Sequence, residues 1–195
     1  MFKVIEKSIF GGMCIGLGAF ASCGLIKPLN GIIFSVGLFM IIFLGLKLFT
    51  GDILSARNGI TKEVIKNWVL IYIGNFIGCY LLGLILLNSG YDLTSISGIS
   101  EQKANLPFTE CFLRGILCNV LVCIAVYLSS KIKDFTLIKA IVIMLPVTLF
   151  VISGFEHSVA NMFYFTIGQV SYFNLIPATI GNILGGLLIV RISKL

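Results

Sequence analysis

The chain has 195 residues and a formal net charge of +6; 58% of it is hydrophobic, only 11% is charged, and the mean hydropathy is +1.08. A water-soluble domain of this size cannot hide so much apolar side chain, because its surface has to be largely polar, so a soluble enzyme or binding module is excluded and an integral membrane protein is indicated. The positive balance does not signal nucleic-acid binding, since lysine and arginine gather between the apolar stretches as membrane topology requires.

Apolar windows follow one another at Ser8–Ile26, Gly31–Thr50, Val64–Leu87, Pro107–Ser130, Leu137–Thr166 and Phe173–Ile192. Each is read as a span, since a bilayer-crossing helix needs about 20 apolar residues. The first is long enough to cross and is followed almost at once by another, so no segment reads as a cleavable signal. The fifth is too long for one plain helix and holds Ser153, Gly154, Glu156 and His157 in its middle, while the second runs past Thr50, Gly51 and Asp52 towards Arg57. Both are expected to be interrupted.

Between the spans, one side collects Lys3, Lys7, Arg57, Lys62, Lys66, Lys131, Lys133, Lys139, Arg191 and Lys194, and the other keeps Lys27, Lys103 and Arg114. This bias predicts cytoplasmic N- and C-termini in a multi-pass protein of the cell (plasma or inner) membrane. Six cysteines lie mostly in apolar runs without C-x-x-C spacing and read as small buried hydrophobes; no metal set and no cofactor is indicated.

A repeat is visible by direct comparison. Ile73-Gly74-Asn75-Phe76-Ile77-Gly78 aligns with Ile180-Gly181-Asn182-Ile183-Leu184-Gly185 at an offset of 107 residues, and the same offset carries Thr50 onto His157. Three spans per half is an odd number, so a duplicated half has to lie upside down. The expected fold is therefore an all-α membrane protein of six transmembrane helices, a 3+3 inverted repeat with interrupted second and fifth helices. Residues 1–195 form a single transmembrane channel domain in this reading, with halves at about 1–90 and 105–195. Paired broken helices of this kind build midplane transport sites.

His157 is the only histidine, and Glu156 stands beside it; ionisable groups at membrane depth are expensive and usually face a bundle interior or a watery path. Neutral imidazole can donate to an anion, and imidazolium can pass it a proton. Glu156 reads as structural, because a carboxylate lining an anion path would repel its cargo. Asn75, Asn119 and Asn182 are polar residues in apolar spans, suited to interhelical hydrogen bonds, with a path-facing position equally open for Asn182. Lys47, three residues before Thr50, has a stem long enough to reach water or Asp52. Phe34, Leu38, Leu48, Phe49, Val122 and Phe150 lie near the breaks, where apolar rings can exclude hydrated ions.

These residues also fall into recognisable blocks: Phe34-Ser35-Val36-Gly37-Leu38, Leu48-Phe49-Thr50-Gly51, Gly154-Phe155-Glu156-His157-Ser158-Val159-Ala160-Asn161, and Gly181-Asn182-Ile183-Leu184-Gly185-Gly186. In that order and separation they resemble the formate/nitrite transporter family over nearly the whole chain. The resemblance implies an aquaporin-like fold, assembly as a homopentamer within membrane lipid, and passage of a small monovalent weak-acid anion: formate, nitrite or hydrosulfide. It implies a central pore at His157, Thr50 and Asn182, an outer constriction of Phe34, Leu38 and Phe150, and an inner one of Leu48, Phe49 and Val122. Lys103 falls at the position of an anion-attracting vestibule lysine, with Glu156 and Asn119 as structural support. The family usually carries an acid where Lys47 stands.

A water or neutral-solute pore of aquaporin type is the alternative, but the paired Asn-Pro-Ala motifs that aquaporins use are absent from this sequence. An intramembrane enzyme using His157 with Ser158 or a cysteine as nucleophile is disfavoured, because sequence neighbours on a helix, such as His157 and Ser158, do not face each other.

Overall fold

The computed structural model describes residues 2–134 and 136–194. Helices α1 (Phe2–Ser22), α2 (Leu29–Phe43), α3 (Phe49–Asp52), α4 (Lys62–Leu87), α5 (Thr94–Ala104), α6 (Phe108–Lys131), α7 (Leu137–Ile152), α8 (Ser158–Gly168) and α9 (Leu175–Ile192) follow in order, with a 3-10 turn at Ile53–Asn58 after α3. There is no strand among the described residues.

The expectation of six spanning helices in a 3+3 inverted repeat is corrected by this structure. Among the described residues four helices are long and apolar enough to cross a membrane: α1, α4, α6 and α9. The second and fifth windows break up instead. Helix α2 has 15 residues and α7 has 16, so each rises only about 22–24 Å, short of a hydrocarbon core of roughly 30 Å. Hydropathy missed this because it counts apolar residues whether or not the backbone stays helical. Inversion follows only from an odd number of spans in each half, and four long helices do not supply it.

Small residues set the closest packing. Helix α1 lies along α4 and α6 along α9, the two most extensive helix pairs. A Cβ at Gly12 would run into the Asn75 carbonyl, and one at Gly78 into the Ile9 carbonyl; Gly181 and Gly185 meet the carbonyls of Phe112 and Ile116 in the same way. Small side chains let membrane helices approach at backbone distance.

Outward faces are apolar. Helix α4 exposes Ile65, Val69, Ile73, Ile77, Leu81 and Ile85, and α9 exposes Ile176, Ile180, Leu184 and Leu188, each four residues from the last. Buried residues include Thr50, Asn75, Asn119, Glu156, His157, Asn161 and Asn182. Apolar outside and hydrogen-bonded polar groups inside is the arrangement a lipid solvent demands.

Candidate functional site

Both interrupted stretches end their first helix by the same device. Helix α2 stops at Phe43, Gly45 takes φ +61°, the Gly45 N–H bonds Ile42 O at 3.4 Å and the Leu46 N–H bonds Ile41 O at 2.9 Å. Helix α7 stops at Ile152, Gly154 takes φ +67°, the Gly154 N–H bonds Val151 O at 3.1 Å and the Phe155 N–H bonds Phe150 O at 3.1 Å. These are Schellman closures, in which a glycine adopts the left-handed conformation that a side chain resists. Extended residues follow, Leu48 before α3 and His157 before α8.

Each break leaves backbone polar groups unpaired in an apolar interior, and one asparagine satisfies them at each. Asn75 Oδ1 accepts the Phe49 N–H at 2.9 Å, while its Nδ2 donates to Ser8 O at 2.7 Å and Lys47 O at 2.9 Å. Asn182 Oδ1 accepts the Ser158 N–H at 2.9 Å, while its Nδ2 donates to Gly115 O at 2.8 Å and Glu156 O at 2.9 Å. Asn119 Nδ2 joins the two regions, donating to Thr50 O at 3.1 Å and to Asn182 O at 2.6 Å.

Thr50 and His157 meet at the centre. Thr50 Oγ1 and His157 Nε2 are 2.9 Å apart, and both residues are buried. His157 Nδ1 accepts the Ala160 N–H at 3.0 Å and so caps α8. An accepting Nδ1 carries no proton, so the neutral ring holds its hydrogen on Nε2 and donates it to the threonine hydroxyl. The imidazole stacks on Phe150 at 5.7 Å and 17°, and Phe150 meets Phe34 edge-on at 5.5 Å.

Two cavities approach this pair from opposite ends of α2. The first, about 350 Å³, is lined by Asn30, Phe34, Lys103, Arg114, Phe150, Glu156, His157 and Asn161, among others. The second, about 310 Å³, is lined by Leu38, Ile41, Lys47, Leu48, Gly51, Asp52 and Val126, among others. His157 faces the first, and Leu48 and Gly51, which flank Thr50, face the second. The Thr50–His157 pair thus stands between residues of the two linings, in the position of a septum.

Other predicted residues divide accordingly. Phe34 and Phe150 share the first cavity, whereas Leu38 lies with Leu48 on the second. Phe49 and Val122 are buried beside the septum without lining either cavity, Phe49 packing edge-on against Tyr72 at 4.9 Å. Asn182 spends its amide on backbone and holds the break in shape. Lys103 does not stand free: its ammonium lies 2.8 Å from Glu156 Oε1, and Asn161 Nδ2 donates to the other carboxylate oxygen at 2.7 Å. Asn161 carried no role in the sequence reading, yet a buried acid in an apolar run demands donors nearby. Among the described residues no three His, Cys, Asp or Glu side chains gather as a metal site.

A septum of two hydrogen-bonded side chains between opposed cavities, set in a multi-pass all-α membrane protein, defines a channel or carrier for a small solute. The family described as formate/nitrite transporter matches residues 1–194, and the chain belongs to that family. It is a small-anion channel or transporter and not an enzyme. Among its relatives, the formate channel FocA of Haemophilus influenzae is 34% identical over 244 aligned positions, covering 99% of this chain and 86% of that protein. FocA of Escherichia coli K12 is 35% identical over 210, covering 87% and 73%. Among solved structures, a pentameric formate channel with formate bound superposes with a TM-score of 0.83 at 28% identity, covering 99% of this chain and 95% of that one. An FNT family ion channel gives 0.88 at 28%, covering 99% and 89%.

Proposed function

We propose that this chain passes formate, nitrite or hydrosulfide through each protomer of a homopentamer in the plasma or inner membrane, with both termini cytoplasmic and with His157 handling a proton. The observation that carries the reading is the septum itself: a single titratable ring, bonded to Thr50, separates two cavities. Named formate channels among the relatives support the substrate class, the pentameric relative supports the assembly, and the lysine and arginine bias supports the orientation.

An anion enters the first cavity, where Lys27, Lys103 and Arg114 bring positive charge to a low-dielectric mouth. Because Glu156 holds Lys103, the pair presents a dipole and attracts without trapping. Phe34 and Phe150 narrow the path before the septum, and Leu38 and Leu48 narrow it after, with Phe49 and Val122 packed behind. A charged species is costly to bring into such a constriction, and a neutral acid is not. Resting His157 is a neutral donor. Protonating it puts a hydrogen on Nδ1, which ejects the Ala160 cap and costs about 1 kcal/mol beyond the burial of charge. The imidazolium is therefore short-lived, and passing the Nδ1 proton to the anion, which becomes the neutral acid, restores the capped ring.

Formate, nitrite and hydrosulfide flux into proteoliposomes at two pH values tests this, with His157→Ala, His157→Asn and Thr50→Val beside the wild type. The histidine variants are expected to lose the pH dependence and most of the rate, and Thr50→Val to slow flux by leaving Nε2–H unpaired. If both histidine variants transport with unchanged rate and pH dependence, the proton role is wrong.

A further inference from the structure

The second cavity carries a feature that transport through the septum does not by itself explain. Its wall is leucine, isoleucine, valine and glycine, apart from one ion pair, Lys47 with Asp52. Their backbones are fixed. The Lys47 carbonyl accepts from Asn75 Nδ2 at 2.9 Å and its N–H donates to Lys7 O at 3.3 Å, while the Asp52 carbonyl accepts from Trp68 Nε1 at 3.0 Å. Only the side chains retain freedom. The Lys47 ammonium reaches Asp52 Oδ1 at 3.0 Å, with 42% of the lysine side chain exposed against 14% of the aspartate. An ammonium has three N–H donors, and the carboxylate oxygen engages one.

We propose, resting on the reading that a small monovalent anion crosses this protein, that Lys47 is the anion-binding group of the second cavity and Asp52 its built-in competitor. The anion takes the ammonium donors that Asp52 leaves over. Lys47 is the cation of this wall, and a low-dielectric cavity focuses the attraction it exerts on an anion. The neighbouring carboxylate repels the bound anion and so keeps it from lodging. Conduction requires such a compromise, strong enough for entry and weak enough for exit. The site accepts a small anion beside the ammonium, within a wall that is otherwise apolar. Lys7, whose ammonium lies 3.0 Å from Gly45 O at the same cavity, adds a second positive charge at the rim.

The two charges make opposite predictions, which separates a binding role from a structural one. Formate flux is measured in liposomes holding the full-length protein in one orientation, at low ionic strength, with the gradient imposed from either face. Lys47→Gln leaves Asp52 uncompensated, and entry from the Lys47 face at subsaturating formate falls about tenfold. Asp52→Asn frees the ammonium, raising entry there about threefold and lowering the formate concentration at half-saturation. The double variant falls between the two singles, about threefold below wild type, entry from the opposite face is unchanged throughout, and inert salt flattens all the differences. Asp52→Asn keeps the side-chain shape and carries the sign alone if Lys47→Gln assembles poorly. Single variants that shift entry in the same direction, or leave it unchanged while the wild type conducts, overturn the proposal. A wild type that carries no formate, nitrite or hydrosulfide refutes instead the transport reading on which it rests.

Discussion

Glu156→Gln removes a charge that the structure holds almost without solvent. The Glu156 side chain is 1% exposed and that of Lys103 is 15%, with 2.8 Å between their charged atoms. At that distance opposite unit charges attract by about 6 kcal/mol at an effective dielectric near 20. Most of this offsets the cost of taking both ions out of water, so the pair is no net source of stability; losing one partner strands the other, at about 3–5 kcal/mol. The substitution is otherwise gentle. Asn161 donates to the second carboxylate oxygen, and its own Oδ1 has no partner, so an amide flip lets it accept from the new side-chain N–H₂. The cost therefore reports the orphaned Lys103. Lys103→Met strands Glu156 by the same argument, and the double variant Glu156→Gln/Lys103→Met removes both ions. Thermal or denaturant unfolding of the purified protein in one detergent is expected to show each single variant destabilised by about 3–5 kcal/mol and the double variant by less than either. A coupling below about 1 kcal/mol would show that the two charges are separately solvated and refute the reasoning.

Asn75→Ala and Asn182→Ala each orphan one buried N–H and two carbonyls, at about 1–3 kcal/mol per group, a large part of the 5–15 kcal/mol of a typical domain. Both variants are expected to unfold at much lower temperature than Asn88→Ala, whose amide bonds only Leu84 O at an exposed helix end; equal melting temperatures would argue against the clamp role. Gly12→Ala and Gly181→Ala should each cost about 1–3 kcal/mol or more by forcing apart α1 from α4 and α6 from α9. Gly98→Ala, inside α5 with nothing within 4 Å of the new methyl, should instead gain about 0.5–1 kcal/mol, and the same unfolding series reads all three.

How far the fold was legible depended on what hydropathy can register. It finds α1, α4, α6 and α9 because each is one continuous apolar helix, but it cannot see where α2 ends. The window through Thr50 stays apolar across Leu44-Gly45-Leu46, although the helix has already closed at Phe43 and the chain is extended by Leu48. A glycine followed at once by an apolar residue is the signature of a Schellman closure, and Gly45-Leu46 and Gly154-Phe155 both carry it. Glycine in a membrane segment is too common for that pair to stand out until the carbonyls it satisfies are known.

The site was legible as a list of unusual residues and not as a set of contacts. Thr50 and His157 could be paired by their offset, and they are in hydrogen-bond contact. Lys103, by contrast, read as a vestibule cation with no partner named, because a sequence shows a charge without its counter-charge. Glu156 had to find a cation somewhere, and the opposite bias of the membrane faces left only Lys27, Lys103 and Arg114 to supply one. Arg114 pairs with Glu110 one helical turn away at 2.9 Å, which a spacing of four residues announces. That leaves Lys27 and Lys103, and the contact at 2.8 Å assigns Lys103. What no pattern carries is the state of the ring: the Ala160 N–H, a backbone group present at every residue but proline, settles which imidazole nitrogen holds the proton, and with it the direction in which His157 donates.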